Sequence, residues 1–230
     1  MTSRIAVLAS GGGSNLQAVL DHLAISTSEP AARVVLVGSD KPGSGALTRG
    51  ADAGAATATI ADPTDGAFLS DLMDEHAVDL VVLAGYLRLV PELLVRRFEG
   101  RMLNVHPSLL PAFGGAGMYG RRVHEAVIRS GARVSGVTVH FVDEEYDRGT
   151  IVAQWPVPVL AGDTAETLAA RVLRAEHVLY PRVIEAVAAG LVDDSPAPPG
   201  AFPPPPRLQF AAVHEDDDAI ARGMHHLFAL

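Results

Sequence analysis

The sequence predicts an α/β fold: a Rossmann-like open sheet, mostly parallel with an antiparallel C-terminal strand pair, and helices on both faces. Three observations carry this expectation. Short apolar runs rich in Val, Leu and Ala alternate with helical-period segments through the N-terminal half. The runs are nearly continuous rather than alternating apolar and polar, as strands covered on both faces require. The last two runs are joined by a short polar loop, DEEYDRG, which can close an antiparallel pair but not a parallel crossover.

The elements follow in order. RIAVLAS (4–10), RVVLVGS (33–39), ATATI (56–60) and DLVVLAG (79–85) read as strands. Between them, SNLQAVLDHLA (14–24), SGALTRGADAG (44–54) and DGAFLSDLMDEHA (65–77) place apolar residues at helical spacing. Residues 102–106 form another strand, ended by Pro107, and GRRVHEAVIRSG (120–131) a helix after a glycine-rich loop. VSGVTVHFV (134–142) and TIVAQWPVPV (150–159) are the antiparallel pair. A long amphipathic helix spans 163–190, with Asp163 or Thr164 as cap, Pro181 expected to bend or divide it, and Gly190 to stop it. From 195 the chain turns proline-rich (SPAPPGAFPPPP), so the expected organisation is one domain over 1–194 and an extension over 195–230.

Composition narrows the function classes. With 48% hydrophobic and 20% charged residues over 230 positions, the chain is a globular protein able to bury a substantial core. A net charge of −9 argues against a broad nucleic-acid surface but leaves room for a local anion site. No apolar run is long enough to span a bilayer, and MTSRIAVLAS lacks the apolar core of a secretory signal. With no cysteine there is neither a disulfide framework nor thiolate chemistry. A cytoplasmic protein, monomer or homodimer, is the expectation.

Two segments carry chemistry. In LASGGGSNLQ (8–17) a strand ends, three glycines follow, and Ser14-Asn15 opens a helix. Such a turn lets backbone N–H groups and the helix N-terminus converge on an anion. The glycines lack the following lysine of a P-loop, and Leu16 stands where a dinucleotide fingerprint needs its third glycine, so a phosphomonoester suits the turn better; the bland alternative is a tight strand-to-helix turn with no ligand. In MLNVHP, Asn104 and His106 share one face of a strand end. An amide donor and an imidazole there suit a carbonyl that gains negative charge; the bland alternative is a hydrogen-bonded pair shaping a turn.

The loop at 143–149 brings four carboxylates, one of which would favour an imidazolium nearby. His140 reads as a supporting group behind the site, while His22, His76, His124 and His177 read as surface or packing residues. No zinc-protease motif or cysteine points to a metal.

Together, SGGGSNLQA, VVLAGYLRLV, LNVHPSLLP, GVTVHFVDEEYDRG and AEHVLYP, in this order over about residues 4–190, resemble the phosphoribosylglycinamide formyltransferase family of de novo purine synthesis. The resemblance implies the formyltransferase fold and two small-molecule substrates, glycinamide ribonucleotide and 10-formyltetrahydrofolate, with no metal, nucleic acid or membrane. It implies that Gly13, Ser14 and Asn15 hold the substrate phosphate and Glu176 the glycinamide end. Leu87, Arg88, Leu89 and Val90 would meet the folate, and Asp143, Glu144, Glu145, Tyr146 and Asp147 would line its pterin pocket. Asn104 and His106 would be the catalytic pair, with Asp147 raising the pKa of His106. The chain departs from the family at DPTDGAF (62–68), where an arginine that can meet the folate is common, and at the loop GGAGMYG (114–120). That loop is expected to be either a lid, with Arg121 or Arg122 adding charge over the phosphate, or a structural insertion. Hydrolysis of the formyl donor and formylation of an initiator tRNA are rival activities; the latter expects a basic C-terminal domain, and this tail is acidic.

Overall fold

The computed structural model describes residues 2–25 and 31–190. They fall in one compact unit within Met1–Asp194, and the proline-rich extension expected from 195 lies outside the described residues.

Seven strands form one sheet in the order β3-β2-β1-β4-β5-β6-β7. These are β1 Ser3–Leu8, β2 Ala32–Ser39, β3 Ala56–Thr59, β4 Leu80–Leu83, β5 Met102–His106, β6 Val134–Phe141 and β7 Ile151–Pro158. The first five pair in parallel, while β6 runs antiparallel to both β5 and β7. The central strands are covered on both faces, so Ile5 to Leu8 and Leu80 to Leu83 are buried at consecutive positions. That is why these strands read as unbroken apolar runs. Each large aliphatic side chain buried this way contributes roughly 1.5–3 kcal/mol.

The helices are α1 Ser14–Ile25, α2 Gly45–Asp52, α3 Gly66–Glu75, α4 Glu92–Arg97, α5 Arg121–Ser130 and α6 Ala165–Ala188. Three of their starts, those of α2, α3 and α6, carry side-chain caps. Ser44 Oγ accepts from Leu47 N and Asp65 Oδ1 from Phe68 N. Thr164 and Thr167 form a reciprocal capping box at α6. Two details depart from the sequence expectation. The short helix α4 lies in PELLVRRF, where none is read from the sequence. Pro181 does not divide α6, which continues to Ala188 at the loss of one backbone N–H donor. The preceding residue, Tyr180, is buried beneath the sheet, its hydroxyl 3.0 Å from both the Leu83 and Leu103 carbonyls.

The chain leaves β1 toward β2 and β3, then returns to lay β4 on the other side of β1. A crevice opens at the carboxyl ends of strands where the order reverses in this way. Its floor is stitched by Ser10 N donating to Gly85 O at 3.0 Å and Leu87 N donating to Ser10 Oγ at 2.9 Å.

Candidate active site

A cavity of about 520 Å³ lies along the carboxyl ends of β4 and β5 and is roofed by the glycine-rich loop and α6. Its walls are mainly apolar, with convergent polar groups from α1, β5, β6, α6 and the loop after β6. This is the usual composition of a small-molecule site.

At one end stands the glycine turn. Gly13 has φ +75°, and a Cβ there would lie 2.8 Å from Ala46 Cα, so the turn requires glycine on both counts. The first amide of α1 to find a backbone acceptor is that of Gln17, on Gly13 O at 2.9 Å. The N–H groups before it belong to the unsatisfied helix terminus. Asn15 is buried and donates from Nδ2 to Glu176 Oε2 at 2.6 Å, and both residues line the cavity. Asn15 Oδ1 is buried without a partner. Burial pushes the Glu176 carboxyl up, with the Asn15 donor pulling against it.

At the other end the strand register assembles a polar cluster. Asn104 on β5 faces His140 on β6 as a cross-strand pair. His140 Nδ1 lies 2.7 Å from the Phe141 carbonyl and therefore donates; its Nε2 then accepts from Asn104 Nδ2 at 3.1 Å. His106 Nε2 lies 2.9 Å from the Phe113 carbonyl, and its Nδ1 3.4 Å from Asp147 Oδ2. Asp147 also accepts from Gly115 N at 2.9 Å and lies 3.7 Å from His140 Nε2. Asp147 adopts φ +57° to present its carboxylate here, a conformation Asp tolerates better than most residues.

Opposing causes act on His106. Burial pushes it down and outweighs the pull of Asp147 and the Phe113 carbonyl, so the net shift is downward. Asp147 does act in the expected direction, but the ring is 3% exposed and loses the solvation an imidazolium needs. For Asp147 itself, burial acts upward, yet His140, His106 and Gly115 N–H prevail and hold the carboxyl below its ordinary value.

Most of the expected residues meet in this cavity: Leu87 to Val90, Asn104, His106, His140, Asp143, Glu145, Tyr146, Asp147, Asn15 and Glu176 all line it. Gly13 and Ser14 form the turn beside it without being part of its wall. Glu144 points elsewhere, with Arg96 Nε donating to it at 2.8 Å on the surface. Arg88 donates to Asp40 Oδ2 at 2.7 Å. Burial raises Asp40, but Ser10 and Arg88 more than compensate and hold it below the ordinary range. Arg121 lines the cavity while pairing with Glu125 and Glu166, and Arg122 stacks 5.1 Å from the Tyr119 ring centre. The 114–120 loop nevertheless lines the cavity through Gly115 and Gly117 to Gly120. His124, expected as surface or packing, instead lines the cavity, buried, with Nδ1 unpartnered and its pKa pushed down by burial. Its place in a helix after a loop of unknown path hid this from the sequence. Among the described residues, no cluster of His, Asp and Glu is arranged to hold a metal ion, and no helix is long and apolar enough to cross a membrane.

Comparison with known proteins places the chain in a family. The formyl transferase family model matches residues 3–184. The chain is 48% identical over 190 residues to the chloroplastic phosphoribosylglycinamide formyltransferase of Vigna unguiculata, covering 80% of this chain and 60% of that protein. The Arabidopsis thaliana counterpart is 47% identical, with 65% of its length covered, so the chain spans somewhat under two thirds of these plant relatives. Among solved structures, glycinamide ribonucleotide transformylase 1 from Symbiobacterium toebii superposes with a TM-score of 0.75 at 41% identity, covering 82% of this chain and 89% of that one. Phosphoribosylglycinamide formyltransferase from Brucella melitensis gives a TM-score of 0.73 at 42% identity, covering 84% and 98%. With a family match along nearly all of the described sheet and helices, and likeness to these solved structures over more than four fifths of its length, this chain belongs to the formyl transferase family.

Proposed function

We propose that the chain transfers the formyl group of 10-formyltetrahydrofolate to the amine of glycinamide ribonucleotide, releasing tetrahydrofolate. The observation that carries this is one cavity lined both by Asn15 and Glu176 and by Asn104, His106 and Asp147. A phosphate-bearing amine at the first end and an acyl donor at the second would meet within it. The relatives named above carry this activity in their names.

The residues present fit a folate. Leu83, Tyr86, Val90 and Val95 offer apolar wall, and residues 85–90 with Asp143, Glu145, Tyr146 and Asp147 line the same cavity, where their backbone groups would meet the edge of a heterocycle. Leu87 to Val90 and Asp143 to Asp147 are the assigned contacts, apart from Glu144, whose side chain faces Arg96. The donor supplies an acyl group on a nitrogen that leaves once protonated, chemistry that requires no metal. The transfer forms a C–N bond to the substrate amine, breaks the C–N10 bond and moves one proton from the amine to N10.

Each residue then has a task. Gly13, Ser14 and Asn15 hold the phosphate through backbone N–H groups, and Glu176 accepts from the glycinamide end. Asn104 keeps one Nδ2–H for His140 and aims the other at the negative charge developing on the formyl oxygen. His106 carries the proton on Nε2, given to Phe113 O in the free protein and turned to the reacting group when substrates bind. Asp147 favours the charged ring against burial, and His140 holds the carboxamide in plane. Purified protein given both substrates should form N-formyl product in a one-to-one ratio with tetrahydrofolate; no turnover with both present refutes the proposal. Location in the cytoplasm is part of the same reading, though relatives in plants are chloroplastic.

A further inference from the structure

The glycine turn owes its shape to α2. Gly11 O accepts from Ala46 N at 3.2 Å, Gly12 O from Arg49 Nε at 2.9 Å, and Gly13 O from Gln17 N at 2.9 Å. In a trans peptide the carbonyl and the N–H of the next residue point in opposite directions. Pinning three consecutive carbonyls back against α2 and α1 therefore turns the N–H groups of Gly12, Gly13 and Ser14 outward. Those three make no backbone hydrogen bond among the described residues. Successive outward N–H groups form an anion-binding concavity.

Two of the three clamps are backbone amides. The third is a side chain, Arg49, whose guanidinium spans the turn: Nε holds Gly12 O and Nη1 holds Gln17 Oε1 at 2.6 Å. Gln17 is in turn tied to Asp21 at 2.8 Å. The packing that allows this is tight, since a Cβ on Gly45 would stand 2.9 Å from Gly12 O. Beside the turn, Asn15 Oδ1 is buried and unpartnered, an acceptor left for a bound molecule.

We infer that Arg49 is a positioning residue for the substrate phosphate: it orients the Gly12–Gly13 peptide through the Gly12 carbonyl and places a fixed positive charge behind the cradle. This rests on the assignment of the phosphate to the glycine turn. A planar fork is needed, because one donor must reach the turn and another the first helix.

The test is steady-state kinetics of the full chain with Arg49→Gln and Arg49→Lys, with inorganic phosphate as competing probe. Arg49→Gln should raise KM for glycinamide ribonucleotide and the inhibition constant of phosphate about tenfold, leaving kcat and KM for 10-formyltetrahydrofolate within about twofold. Arg49→Lys should recover only a minor part of the loss. Full recovery by lysine would reduce the role to charge and overturn the positioning claim, as would an unchanged KM in Arg49→Gln. Equal loss in kcat and in both KM values would mark a purely structural role and also overturn it. A separate arm uses the substrate lacking its phosphate. If wild-type protein takes it as readily as the phosphorylated one, the phosphate assignment itself fails, whatever the Arg49 variants do.

Discussion

The two ends of the cavity solve different problems with different parts of the chain. In the proposed assignment the phosphate meets main-chain N–H groups at the glycine turn, while Arg49 holds the turn through Gly12 O and is not part of the cavity wall. At the end of β5 the groups facing the cavity are side chains, Asn104 and His106, and the main chain of the 113–115 turn stands behind them, holding His106 and Asp147. On the proposed assignment the first end would bind a phosphate whose charge does not change during reaction, and fixed dipoles suffice for that. The second must move a proton and meet a charge that develops, which calls for titratable groups held in a dry, preorganised setting. Burial disfavours the charged form at both ends: it pushes the Glu176 carboxyl up at the first and His106 down at the second.

Substitutions should separate the two ends. The largest effect is expected for Asn104→Ala and His106→Ala: kcat falls by about a hundredfold or more, with KM for glycinamide ribonucleotide little changed. A rise in KM with kcat intact would merge the two ends into one binding surface. Next comes Asp147→Asn, which removes the charge that resists desolvation of the ring. His106 then loses its proton at lower pH, so the fall of kcat on the alkaline side moves toward acid, and activity at neutral pH drops about tenfold or more. A pH–rate profile identical to wild type would take Asp147 out of its role. Glu176→Gln sharpens the other end. Its carboxyl is raised by burial and braced by Asn15, and the change should raise KM for glycinamide ribonucleotide by about five- to tenfold while leaving KM for the folate unchanged.

The smallest effect concerns the helix both ends share. Asp163 accepts from Leu160 N, Thr167 Oγ1 and, at 2.7 and 2.8 Å, the two guanidinium nitrogens of Arg171, and is held far below the ordinary carboxylate range. A depressed pKa stabilises above the unfolded value, near 4, and that stability is lost as pH falls through the folded value. Asp163→Asn should therefore lower the melting temperature by a few degrees at neutral pH. The gap from wild type should close in acid, with kcat unaffected.

The sheet was legible because its central strands carry unbroken apolar stretches, Ile5 to Leu8 and Leu80 to Leu83, a pattern set by coverage on both faces. The glycine turn was legible for a similar reason: a strand, three glycines and a Ser-Asn helix start are contiguous in the chain. Helix α4 was not, since its Leu93, Leu94 and Val95 continue the apolar run of β4 past Pro91 and hide a six-residue helix. Asn104 and His106 could be paired by strand alternation alone. The main-chain groups around them could not: Phe113 O, which accepts from His106, and Gly115 N, which donates to Asp147, are backbone atoms, and His124 reaches the cavity only through the path of the loop before α5. The sign of the His106 shift was out of reach for the same cause, because local charges can be read from a sequence but the depth of burial is a property of the packed molecule.

Tetrahydrofolate release from 10-formyltetrahydrofolate, followed with and without glycinamide ribonucleotide, tests most directly whether the two ends serve one transfer. We expect release only when the ribonucleotide is present, abolished by His106→Ala and restored to wild type's rate by raising ribonucleotide concentration in Arg49→Gln. Release at the same rate without the ribonucleotide would make the protein a hydrolase of the formyl donor and contradict the account.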